Sequence, residues 1–189
     1  MKTSTVIAAA CAVLATTGAP AAVPGAVDLN AGYGFAAYAG SAAVGHGDVN
    51  VASTLFYIDE QVADGWKSWY VFFDPGVAQD LVATLHFDQP IHAVLTTRAD
   101  LDATNSAYGA SGITYGTSRF IGLESCPVGH VFCDAVAWTP GGHDLTLDWS
   151  AIDPGDHIRV LVAVPEPANY LLFAAGLAGL ALMLRRRRS

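Results

Sequence analysis

The residues able to do chemistry are scattered, and their spacing decides what each can do. Histidines lie near carboxylates four times: His46 with Asp48, His86 with Asp88, His143 beside Asp144, and His157 beside Asp156. On a strand, immediate neighbours point to opposite faces, so His143–Asp144 and Asp156–His157 cannot chelate together. His86 and Asp88 would share a face, but two ligands do not complete a metal site. Surface or turn histidines are the expectation. Asp59/Glu60, Asp100/Asp102 and Asp144/Asp148 are nominees for the paired carboxylates of glycoside hydrolysis. Acids are too common in this chain for that pairing to mean much, and no Gly-x-Ser-x-Gly, phosphate loop or His-Glu-x-x-His occurs. No catalytic residue and no cofactor are assigned, and the chain is not expected to be an enzyme. Calcium is the minority alternative, because Asp100, Asp102, Asp153 and Asp156 fall in expected loops or turns, although no twelve-residue calcium loop exists. Sugar stacking by Trp66, Trp69, Trp138 or Trp149 competes with core packing, and core packing is the expectation.

Those residues belong to a segment between two special ends. Lys2 precedes an apolar run from Val6 to Leu14, and Ala19-Pro20-Ala21 places small residues before a cut after Ala21. Residues 1–21 therefore read as a secretory signal, handled by the secretion machinery and a signal peptidase. Residues 22–164 are long enough for one domain with its own core. Four basic residues (Lys67, Arg98, Arg119 and Arg159) face sixteen acids there, a net charge of −12 against −8 for the whole chain. Such a surface repels nucleic acid and anionic lipid. An exported chain meets an oxidising compartment, so Cys126 and Cys133 read as a local disulfide. Closing that loop of eight residues stabilises by about 2.5 kcal/mol on the chain-entropy estimate.

The C-terminal stretch is ordered in three parts. Val164-Pro165-Glu166-Pro167 is an extended segment in which Pro165 and Pro167 lack N–H donors. From Ala168 to Leu184 there is no charge, and a helix of that length spans roughly 25 Å, the short end for a bilayer core. Arg185, Arg186, Arg187 and Arg188 then act as a stop-transfer cluster on the cytoplasmic side. On the apolar run alone, an ordinary single-span anchor would suffice. The full order, however, resembles the PEP-CTERM family of bacterial exported proteins, over residues 165–189. The resemblance implies that Pro165, Glu166 and Pro167 are the sorting motif read by an exosortase, a membrane-embedded transpeptidase. It further implies a transient inner-membrane anchor, then the cell surface or extracellular matrix of a Gram-negative bacterium, with links to exopolysaccharide and biofilm. The runner-up role is a calcium-dependent carbohydrate-binding module, with a glycan-active enzyme third.

Strand patterns recur between turn signals in the central segment. Strands are expected at Val49–Ile58, Trp66–Phe73, Leu81–Asp88, Ile91–Thr97, Ser118–Leu123, Val131–Trp138, Asp144–Trp149 and His157–Val164, with one short helix at Ala99–Tyr108. Ala31–Gly47 reads as an irregular edge strand and loop. Trp66–Phe73 is apolar on both faces toward its end, as in a strand covered on both sides. Asp64-Gly65, Asp74-Pro75-Gly76 and Asp153-Pro154-Gly155 mark turns. The expected fold is mainly β, an antiparallel β-sandwich or jelly-roll-like domain.

Overall fold

A computed structural model describes residues 22–116, 118–124, 133–164 and 176–177. The chain divides into a unit of Ala21–Val164 and a second made of its two ends. Of that second unit, only residues 176–177 are described, and both are helical. Pro165, Glu166, Pro167, Arg185–Arg188, Cys126 and the expected signal peptide therefore lie outside the described residues. Among those described, no helix is long and apolar enough to cross a membrane.

The central unit is mainly β. Its elements are β1 (Gly25–Leu29), β2 (Gly34–Ala37), β3 (Thr54–Ala63), β4 (Trp66–Phe73), β5 (Gln79–His86), β6 (Ile91–Leu95), α1 (Arg98–Tyr108), β7 (Ala135–Trp138), β8 (Asp144–Ala151) and β9 (Asp156–Ala163). One sheet has the order β1-β5-β8-β7, the other β2-β3-β4-β9-β6. The first is antiparallel throughout. In the second, β2 runs parallel to β3. That pairing corrects the all-antiparallel expectation: the connection from Ala37 to Thr54 crosses over instead of making a hairpin. Ser118–Leu123 forms no strand among its described residues but turns and bends.

Period-two patterning explains how the sheets pack. In β8, Leu145, Leu147, Trp149 and Ala151 are buried while Asp144, Thr146 and Asp148 are exposed. The buried set meets Leu81, Ala83 and Leu85 of β5, and Trp69, Val71, Phe73, Ile158, Val160 and Val162 of the other sheet, in one core. The four-stranded sheet thus buries one face, and the five-stranded sheet buries both. On the far side of β4, Tyr70 and Phe72 pack with Val44, Ile58 and Leu101 of α1 in a second core. This double cover is why the pattern of β4 carries so few polar residues.

Local chemistry sets the boundaries. Asp64 (φ 52°) and Gly65 (φ 83°) turn β3 into β4, the left-handed pair that a two-residue hairpin requires. Thr97 caps α1, its Oγ1 accepting from the Asp100 N–H at 3.2 Å while donating to Asp100 Oδ2 at 2.7 Å. The turn before β9 differs from its sequence counterpart at Asp74-Pro75-Gly76, because Asp153–Pro154 is a cis peptide.

Candidate functional site

The structure brings together three acids that the sequence did not group. Glu124, Asp134 and Asp156 each present a carboxylate oxygen, and these oxygens lie within 4.8 Å of one another. Asp156 is the first residue of β9 and belongs to the five-stranded sheet. Asp134 immediately precedes β7, and its Oδ1 accepts from the Ser150 N–H of β8 at 3.0 Å, tying it to the four-stranded sheet. Its Oδ2 accepts from the Glu124 N–H at 2.9 Å. The position of Glu124 follows from its neighbours: the Leu123 N–H donates to Thr96 O at 2.8 Å and the Leu123 side chain packs on the main core. Gly122 before it has φ 101°, and a Cβ there would meet Thr96 O at 2.8 Å.

Gly155 does the same service for Asp156. Its φ is 84°, and a Cβ would come within 2.2 Å of Phe73 O. Only glycine lets the incoming turn lie that close to the end of β4. Asp156 is 2% exposed, and its Oδ2 has no hydrogen-bond partner. Burial, then the charges of Asp134 and Glu124, push its carboxyl up to about 9. Burial and the hydrogen bond and charge of Asp134 push Glu124 up to about 7. Three carboxylates in so small a space cannot all stay ionised without a counter-charge. Every donor in the set is an oxygen.

The other nominees are placed apart from this cluster. Asp100 and Asp102 lie on α1, the latter accepting from Arg98 Nε at 3.1 Å. Asp153 lies in the turn before β9, so of the four acids considered for calcium only Asp156 is in the triad. Asp59 pairs with Lys67, and Glu60 is buried against Arg159. Asp144 and Asp148 share the exposed face of β8, roughly 13 Å apart at strand rise, too far for a glycosidase pair. His86 Nδ1 meets Asp144 Oδ1 at 2.7 Å rather than Asp88, whose Oδ2 accepts from Ala22 N. His143 Nδ1 faces Phe87 O at 2.8 Å, and His157 is fully buried rather than on the surface. Trp69 and Trp149 are core residues, Trp138 packs on that core, and Trp66 stacks on His92 with ring centres 3.6 Å apart. Cys133 lies two residues before β7, and its expected partner Cys126 is outside the described residues.

Glu124 and Asp134 lie in no chemical motif, so residue type and spacing alone do not single them out. The available signal was their position: they flank the Cys126–Cys133 segment, and Asp156 follows a Pro-Gly turn that fixes its direction.

The protein is thus a two-sheet β unit whose last strand leads without a linker into the tripartite tail. A family model described as the PEP-CTERM protein-sorting motif matches residues 163–188, beginning on the final residue of β9. The motif implies an exported, membrane-transiting protein processed by an exosortase. No curated protein and no solved structure matches the chain.

Proposed function

We propose that the chain is a non-enzymatic component of the cell surface or extracellular polymer of a Gram-negative bacterium, linked to exopolysaccharide and biofilm. The secretion machinery and signal peptidase export it, and the segment 168–184 with Arg185–Arg188 holds it transiently in the inner membrane. An exosortase then cleaves at or near Pro165–Glu166–Pro167 and releases the β unit. The observation that carries this reading is the sorting-motif match at 163–188. The acidic composition of residues 22–164 supports it, because self-repulsion keeps a released domain soluble and away from anionic lipid. A Cys126–Cys133 bridge belongs to the same proposal and would close the segment between Glu124 and Asp134.

Calcium-dependent sugar capture ranks second. The stack of half-buried Trp66 on exposed His92 is the aromatic surface a sugar would use, and Trp66 pairs with Ala163 at the end of β9. Asp156 stands at the start of that strand, roughly 23 Å away at strand rise. One sugar ring could not touch both.

The test is intact mass and membrane fractionation of the mature protein, comparing the native tail with a Pro165→Ala/Pro167→Ala variant in an exosortase-bearing host. The native form should lose the apolar segment and the arginines and leave the membrane, while the variant stays anchored. If both keep the full tail, exosortase handling is wrong and a plain single-span anchor replaces it.

A further inference from the structure

We propose that Glu124, Asp134 and Asp156 form a calcium site that clasps the two sheets together at one end of the sandwich. The first ground is convergence. The three carboxylates arrive from a loop, from the residue before β7 and from the start of β9, yet their oxygens lie within 4.8 Å of one another. Oxygens at that spacing can share one Ca2+ at about 2.4 Å. The second ground is independent of acid count. Asp156 is buried, and its Oδ2 has no hydrogen-bond partner, an expensive arrangement for a carboxylate that a cation would satisfy.

The donor chemistry selects the class of ion. An all-carboxylate set with no imidazole or thiolate suits a hard cation over zinc or copper. Ca2+ tolerates irregular coordination by six to eight oxygens, whereas Mg2+ sheds its waters reluctantly and demands near-octahedral geometry. Asp156 is stripped of water at the base, and exposed Glu124 forms the mouth, through which solvent can complete the shell. Asp134 is held by two N–H donors, one to each oxygen, and each oxygen keeps a second lone pair for an ion. The mechanical consequence follows from where the ligands sit. Asp156 belongs to the five-stranded sheet, and Asp134 is bonded to β8 of the four-stranded one, so one ion would cross-link both sheets. This site is independent of tail processing.

The test uses the full chain in detergent, stripped with chelator, melted at neutral pH with and without millimolar CaCl2, and with equilibrium dialysis against calcium. Calcium is expected to raise Tm by roughly 5–15 °C when present at about a hundred times its Kd, with one ion bound per chain. Asp156→Asn and Glu124→Gln should lose the shift and the bound ion, while Asp144→Asn, outside the cluster, should keep both. Glu124 is exposed, so its variant should fold even if a change at Asp156 does not. A cooperative melt that calcium leaves unmoved would overturn the proposal. So would an equal shift in Glu124→Gln, or an equal shift with magnesium alone.

Discussion

Arg159 and Glu60, 99 residues apart, form a fully buried bidentate ion pair, with Nε–Oε2 and Nη2–Oε1 both 2.7 Å. Arg159 also donates to Leu101 O at 3.0 Å, to Thr104 Oγ1 and to Asn105 Oδ1 at 2.8 Å, all on α1. Glu60 Oε2 accepts from Ser68 Oγ as well. One guanidinium therefore joins β3, β9 and the helix that covers them, and its Cζ lies 5.2 Å from the centre of the Tyr70 ring.

Removing one partner of this pair strands a buried charge. Arg159→Met or Glu60→Leu should destabilise by about 3–5 kcal/mol, whereas the Glu60→Leu/Arg159→Met double variant should cost markedly less than the sum. Urea denaturation of the four proteins measures this. Additive losses would show that the pair is not energetically coupled.

His157 predicts a dependence on pH. Its Nε2 faces Pro154 O at 2.9 Å, Nδ1 has no partner, and the ring stacks on Phe72 with an interplanar angle of 4°. Burial pushes the imidazole down to about 4. Between the ordinary value of about 6.5 and 4, the unfolded chain binds a proton that the folded one refuses. Stability from this group is therefore complete above pH 6.5 and is lost as pH falls toward 4, by roughly 3 kcal/mol at most. His157→Phe should flatten the stability–pH curve across that window relative to wild type. Parallel curves would sink the assignment.

Gly155→Ala should unfold the end of the sandwich at lower temperature. Alanine pays for the φ of 84° and must also displace Phe73 O, 2.2 Å from its Cβ. A loss above about 1 kcal/mol is expected. A control at Gly65, where φ is 83° but nothing lies within 4 Å of a Cβ, should lose less. Thermal melts of both variants separate strain from collision.

Strand β8 offers a cleaner contrast. Leu147→Ala should cost about 2–5 kcal/mol, and Thr146→Ala, one residue away on the exposed face, about 0.5 kcal/mol or less. Equal losses would mean that the strand does not present its faces as described.

Much of the fold was legible because it rests on local rules. Trp66–Phe73 is β4 residue for residue, since two short-range turn signals bracket an apolar run. The helix expected at Ala99–Tyr108 begins one residue earlier, at Arg98, because Thr97 caps it. The first good strand lies at Thr54–Ala63 rather than Val49–Ile58: Val49 and Val51 instead bond their N–H groups to Asp74. Ser118–Leu123, expected as a strand, turns and bends instead, with the Leu123 N–H bonded to Thr96 O. The parallel β2–β3 pair was not legible, because nothing local distinguishes a crossover from a hairpin at low strand propensity.

The sequence by itself determined the export reading, the acidic character of the central segment, its β class and the sorting motif, because each depends on composition or contiguous order. Tertiary structure alone decided which charges meet. Glu60 with Arg159, and Glu124 with Asp134 and Asp156, are separated along the chain and lie in no motif; only strand register and sheet packing bring the first pair to 2.7 Å and the three acids within 4.8 Å of one another. Coulomb energy depends on separation in space, and spacing along a folded chain does not report it.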